Sequence, residues 1–249
     1  MPTIALAATI HDTEARLVPA IARSSVLLRE LFAGIALNVS DATNPAVLDA
    51  ARDALGAEII VHPQDEAGIG RARRDAVRLA LTLDAPAILY CDFDHLLRWA
   101  ETNEAELRAT LAAQPDADVL VVGRSTRAFA AEPKRLQDTE RLVNRAYKLL
   151  TGRDWDLMFA VRRLSREAAA EIVANSRVDT LANDVEWPLL AERAGFALAY
   201  AEADGLFYRT MEDFGASADH GDDDPLQWIR RIEFAAQHVA VMRSFLPKP

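Results

Sequence analysis

Short apolar runs alternate with amphipathic segments along the first half of this chain. Ile4-Ala-Leu-Ala-Ala-Thr9 reads as a buried first strand. His11-Asp-Thr13 offers turn and N-cap chemistry, and helical spacing runs from Glu14 to about Leu31. Ile35 to Val39 reads as a second strand, followed by the polar group Ser40-Asp-Ala-Thr-Asn44. Pro45 suits the first turn of a helix that runs to about Leu55. Glu58 to Val61 is a third strand, His62 to Ala67 a loop, and Gly68 to Leu83 a helix. Ala87 to Tyr90 is a fourth strand. This alternation predicts an α/β fold with a mostly parallel central sheet flanked by helices.

The pattern continues with a helix from Glu101 to Ala113 and a strand from Asp118 to Val122, closed by Gly123. Arg124 to Asp138 is basic and polar and reads as a loop or flap. Thr139 to Leu150, Arg166 to Ala174 and Val185 to Ala194 carry helical spacing. Asp156 to Val161, Ala197 to Ala201 and Leu206 to Arg209 read as strands. Asp224 caps a final helix that begins at Pro225. No repeat or Gly/Ser/Pro-rich linker divides the chain, so one domain is expected over 1–249, in halves 1–123 and 124–249.

Composition narrows the classes. The 249 residues are 51% hydrophobic and carry a formal charge of −10, a poor match for nucleic-acid or anionic-membrane binding. Cys91 is the only cysteine, so an intramolecular disulfide and a cysteine metal site are excluded. No apolar run has membrane-spanning length, and the N-terminus lacks a basic segment followed by an apolar one. A cytoplasmic protein fits these features.

The strongest chemical signal is Ala87-Ile-Leu-Tyr-Cys-Asp-Phe-Asp94, an apolar run that ends in two acids one residue apart. Strand alternation would turn Asp92 and Asp94 to one side, at the sheet edge where open α/β folds bind ligands. Two carboxylates there suit Mg²⁺ or Mn²⁺, with a phosphate carried on the ion. The competing reading is a pair of turn-capping acids. A haloacid-dehalogenase-type phosphatase is disfavoured, because three strands precede this one and His95-Leu96 follow Asp94.

In Gly68-Ile-Gly-Arg-Ala-Arg-Arg-Asp75 the glycines and helix start can approach an anion. Arg71, Arg74 and Arg78 share one helical face, which either receives a diphosphate or is solvated, with Arg71 paired to Asp75. The third glycine of a dinucleotide fingerprint is absent. Asp41 either meets a nucleobase or ribose or forms an Asx turn before Pro45. Asp184 and Glu186 open a short helix, as caps or as a general base. His220 precedes Gly-Asp-Asp-Asp224, as a surface histidine or a third metal ligand.

Together these segments resemble a GT-A glycosyltransferase near the family-2 and dolichyl-phosphate-mannose-synthase-like enzymes, over Ile4 to about Gly195. Val39-Ser-Asp41, the Gly-X-Gly helix start, the acid-X-acid motif, Arg141 to Gly152 and Leu181 to Glu186 carry the resemblance in order. It implies a nucleoside diphosphate sugar donor and a small or carbohydrate hydroxyl acceptor, with a homodimer compatible. Thr9, Asp41, Gly68, Arg71, Arg74 and Asp92 would bind the donor. Asp92, Asp94 and His220 would hold the metal, and Asp184 or Glu186 would act near the acceptor. The soluble glucosylglycerate-type synthases retain configuration and use a late histidine, whereas family-2 relatives invert. Leu157-Met-Phe-Ala160 departs from the family's Ser-Gly-Phe-Arg. Two rivals are a non-catalytic nucleotide-sugar-binding protein on this fold and a sugar-1-phosphate nucleotidyltransferase. The latter needs a Gly-rich basic loop where His11-Asp-Thr-Glu-Ala15 stands.

Overall fold

A computed structural model of the chain describes residues 3–207 and 221–246. Seven strands form one sheet: β1 (Ile4–Ile10), β2 (Gly34–Ser40), β3 (Glu58–His62), β4 (Ala87–Tyr90), β5 (Val119–Arg124), β6 (Val161–Ser165) and β7 (Leu198–Ala203). Their order across the sheet is β3-β2-β1-β4-β6-β5-β7. β6 runs antiparallel to β4 and β5, and the other pairings are parallel.

Alternation in β1 shows how the sheet is covered. Ile4, Leu6, Ala8 and Ile10 face one layer with α1 (Val18–Leu31), α2 (Pro45–Leu55), α4 (Phe93–Thr102) and α5 (Glu104–Ala112). Ala5 and Ala7 face the other, with Ala76, Val77 and Ala80 of α3 (Ile69–Ala80). That layer also holds α7 (Lys134–Thr151), α8 (Arg166–Asn175) and α9 (Asn183–Arg193). Alanines on both partners bring α3 close to the sheet. The short α6 (Thr126–Ala130) follows β5, and α10 (Pro225–Ser244) packs on α7 and α9. Asp224 caps α10 through Leu226 N at 2.9 Å, as its sequence position predicts.

Several expectations are corrected. The helix expected from Glu101 is two helices, and the first begins at Phe93, directly after the acid motif. Phe93, Leu96, Leu97 and Ala100 are buried at helical spacing. The segment Arg124 to Asp138 is no flap: it holds the end of β5, all of α6 and the start of α7. Ser125 caps α6, and Arg124 is buried among carboxylates. The strand expected at Asp156–Val161 is displaced to Val161–Ser165. The last closing strand is absent at Leu206 and Phe207, and Arg209 lies outside the described residues.

Candidate functional site

Parallel pairing of β1 with β2 and β4 brings their C-terminal ends side by side. Thr9, His11, Ser40 and Asp92 therefore meet at one sheet edge. Asp92 occupies the N-cap position of α4, but its side chain makes no cap bond. Thr9 Oγ1 donates to Asp92 Oδ1 at 2.9 Å, the Tyr90 hydroxyl donates to the same oxygen, and Arg73 Nη2 donates to Oδ2 at 2.7 Å. Burial raises the Asp92 pKa, but Arg73, then His95 and the two hydroxyls, hold it below the ordinary aspartate value.

Asp94 lies in the first turn of α4. The strand alternation expected to relate the two acids is therefore corrected: a helix start separates them. Asp94 is half exposed, with its side chain 42% accessible against 19% for Asp92. It faces a cavity of about 260 Å³ lined by Thr9, His11, Asp12 and Thr13. His95 Nε2 lies 3.8 Å from Asp94 Oδ2, and its ring stacks on Phe159.

Arg73 is the residue that the sequence reading missed. Its Nη1 donates to Asp184 Oδ1 at 2.9 Å and Asn183 Oδ1 at 3.2 Å, so one guanidinium joins α3, the acid motif and α9. Burial works against its charge, yet Asp92 and then Asp184 raise its pKa further still. A signal was present: Arg73 stands among Ala72, Ala76, Val77 and Ala80 on the buried stripe of α3. A charge on an apolar stripe requires a buried partner.

The flanking arginines do other work. Arg71 is exposed and lies 3.6 Å from Asp65, Arg78 pairs with Asp75, and Arg74 holds Asp179 at 2.7 Å. The Gly-X-Gly segment does not form an open anion cradle. Gly70 N donates to Asp179 O at 2.7 Å, and a Cβ on Gly70 would meet Thr180 O at 2.2 Å. Gly70 is thus required for close approach of the 178–180 loop, and Gly68 is the residue before the helix.

Asp184 and Glu186 both point inward. Asp184 is 6% exposed and lies 3.7 Å from His238 Nε2 of α10. Glu186 accepts from Ser176 Oγ at 2.6 Å and from Arg177 N and Val178 N, closing the loop after α8. Asp41 accepts from Gln64 N at 2.9 Å and orders the turn after β3. His220 lies outside the described residues. Among the described residues no cluster of three His, Cys, Asp or Glu is placed to hold a metal ion.

Two further cavities border this edge. One, of about 360 Å³, is lined by His11, Ser40, His62, Gln64, Asp65, Ile69, Leu181 and Phe234, so His11 borders it and the Asp94 cavity alike. The other, of about 590 Å³, lies beyond β5 against α7, with Arg141, Arg145, Lys148 and Trp155 in its wall. The Trp155 ring stacks parallel to Tyr200.

No protein-family model matches the chain, and no curated protein matches it by sequence. Solved structures do. Glucosyl-3-phosphoglycerate synthase from Mycobacterium tuberculosis in complex with UDP superposes with a TM-score of 0.62 at 15% identity, covering 99% of this chain and 82% of that chain. The fold is GT-A. The same enzyme with Mn²⁺, UDP and glucosyl-3-phosphoglycerate gives 0.58 at 14% identity, over 99% and 81%. A structure described as a mycobacterial protein gives 0.63 at 14% identity, over 99% and 76%. This GT-A sheet agrees with the resemblance read from the motifs. The finer placement near dolichyl-phosphate mannose synthases rests on the motifs alone. Among the described residues no helix is long and apolar enough to cross a membrane.

Proposed function

We propose that this chain is a glycosyltransferase that moves a sugar from a nucleoside diphosphate to an acceptor hydroxyl. The observation that carries the reading is Asp94, an open carboxylate facing a cleft at the edge of β1 and β4, beside an Asp92 fixed by Arg73. The structural neighbours carry UDP and Mn²⁺ or Mg²⁺ at the same fold.

The donor set fits a hard divalent ion that takes one or two carboxylates and keeps water and phosphate oxygens for the rest. Asp94 would hold it, with Asp92 behind; Asp92 already accepts three hydrogen bonds, so Asp94 is the freer ligand. When bound, such an ion neutralises charge that grows on a departing diphosphate. The chain's own residues do the remainder. Arg73, Thr9 and Tyr90 fix Asp92 before substrate arrives, which removes reorganisation from the reaction. Apolar Ile69, Leu181 and Phe234 wall a slot for the base, and His11 stands between slot and diphosphate.

The inward turn of Asp184 and Glu186 supports a retaining reaction, which needs no protein base at the acceptor hydroxyl. Asp184 then serves as a positioning residue for Arg73. Arg141, Arg145 and Lys148, which outnumber Asp154 and Glu202 in the same wall, support an anionic acceptor in the larger cavity, with Trp155 as an apolar wall. The neighbouring glucosyl-3-phosphoglycerate synthase is solved in complex with phosphoglyceric acid.

The test is hydrolysis or transfer from a panel of sugar nucleotides with and without Mn²⁺. Metal-dependent turnover that falls at least about 100-fold in Asp94→Ala supports the reading. A second reading, nucleotide-sugar binding without chemistry, is favoured by the internal bonds of Asp92, Asp184 and Glu186. It predicts nucleotide binding with no turnover on any acceptor. If no nucleoside diphosphate binds, both readings fall.

A further inference from the structure

The base slot contains a histidine whose protons can be located by hydrogen-bond logic. Asn38, 1% exposed, donates its Nδ2 to the Ala72 carbonyl of α3 at 2.8 Å. A carbonyl only accepts, so the amide orientation is fixed. Asn38 Oδ1 therefore faces His62 Nδ1, at 2.8 Å, and Oδ1 can only accept. The proton must sit on His62 Nδ1. In the neutral ring, Nε2 is then a bare acceptor, and it has no partner among the described residues.

The surroundings favour the neutral ring. Burial lowers the His62 pKa from 6.5, outweighing Asp41 and Asp75, while Arg71 and His11 reinforce the fall. His62 lines the 360 Å³ slot with Gln64 and the apolar Ile69, Leu181 and Phe234. A flat ring seated between those walls would turn its polar edge toward His62 and Gln64.

We infer that His62 is a specificity-determining residue for the nucleobase, accepting a ring N–H and so selecting uracil or guanine over cytosine and adenine. This deepens the glycosyltransferase reading and rests on it. Uracil and guanine each present a ring N–H next to a carbonyl, which matches a histidine acceptor beside the Gln64 amide. Held in the same register, cytosine N3 and adenine N1 turn a lone pair on the His62 acceptor, and to offer the exocyclic amine instead the base must slide along the slot. In that register two acceptors face each other in a half-buried slot and both lose water without replacement.

The experiment is calorimetric titration of the full chain with UDP, GDP, CDP and ADP in the presence of Mn²⁺. Either UDP or GDP is expected to bind at least about 10-fold tighter than CDP and ADP. Methylation of the ring nitrogen of the preferred nucleotide should cost the wild-type protein about 10-fold or more, a test that requires no variant. In His62→Phe the base preference and the methylation penalty should both shrink to within about 3-fold. Equal binding of all four bases, or a methylated nucleotide that binds like its parent, overturns this inference and leaves the glycosyltransferase reading standing. Absence of any nucleotide binding overturns that reading and this inference with it.

Discussion

Arg73 and Arg124 each gather carboxylates from distant segments, but the surfaces beside them are opposite. Arg73 joins Asp92 and Asp184, and next to it Asp94 is left open to a cleft. Arg124, 1% exposed, takes Glu132, Glu140 and Asp156, and Arg231 of α10 adds a second cation to Glu140. There the three carboxylates around Arg124 are buried, while the neighbouring cavity is lined by Arg141, Arg145 and Lys148 together with Asp154 and Glu202, Lys148 pairing with Asp154. One end of the sheet edge therefore offers an open acid, and the other a mixed wall in which cations outnumber exposed acids. An acid suits a metal that carries a diphosphate, and cations suit an anionic acceptor. In both places the buried ion pairs fix the backbone, and the group left over gives the surface its chemistry.

The largest expected effect lies in the sealed knot. Arg124→Met should cost about 3–5 kcal/mol in chemical denaturation, because three carboxylates remain buried without their common partner. Arg73→Met should destabilise by a similar mechanism, with two carboxylates stranded. The comparison sharpens in activity assays on folded protein. Arg73→Met should lose turnover beyond its loss of folded fraction, since Asp92 is then free to move. Equal specific activity in wild type and Arg73→Met would show that the first knot is as purely structural as the second.

A smaller effect tests what the glycine motif is for. Gly70→Ala should cost about 1–3 kcal/mol, because its Cβ would sit 2.2 Å from Thr180 O and the loop must move. Gly68→Ala meets the flexible ends of Arg71 and Asp65 instead and should cost less, because the Gly68 φ of −98° is open to any residue. Similar melting temperatures for both variants would restore an anion-binding role to the motif in place of a packing role.

The pattern of the first half was legible because apolar alternation and helix periodicity agree there. β1, β2 and β4 are uninterrupted by charge, and α2 carries both Pro at its start and left-handed Gly56 at its end. β6 was expected too early, at Asp156–Val161, because its centre reads Arg162-Arg163, although both are buried. Arg162 reaches the carbonyls of Leu157 and Asp184, and Arg163 those of Leu111 and Gln114. Their charge is absorbed by backbone, which no hydropathy pattern reveals. The same blindness hid Arg73 and turned Arg124 to Asp138 into an expected flap. The acid motif itself was legible, but its geometry was not: Phe93 starts a helix where an extended exit was expected.

Acid titration separates Asp92 from the two glutamates of the Arg124 knot by sign and carries the smallest effect. Asp92 has its pKa lowered from 3.8, burial being outweighed by Arg73, so its contribution to stability is whole above pH 3.8 and is lost as pH falls through the folded value. Asp156, held down by Arg124, behaves alike. Glu140 and Glu132 are shifted the other way, raised from 4.5 chiefly by burial despite Arg124. A raised acid favours folding when protonated, so their contribution is whole below pH 4.5 and is lost as pH rises through the folded value. Denaturation midpoints measured against pH should therefore show opposite differences in two variants. Asp92→Asn should flatten the decline below pH 3.8. Glu140→Gln should leave that decline in place and remove a gain on acidification toward pH 4.5. If both variants altered the same limb, the two knots would share one electrostatic regime, and the contrast between an open acid edge and a sealed one would have no basis in charge.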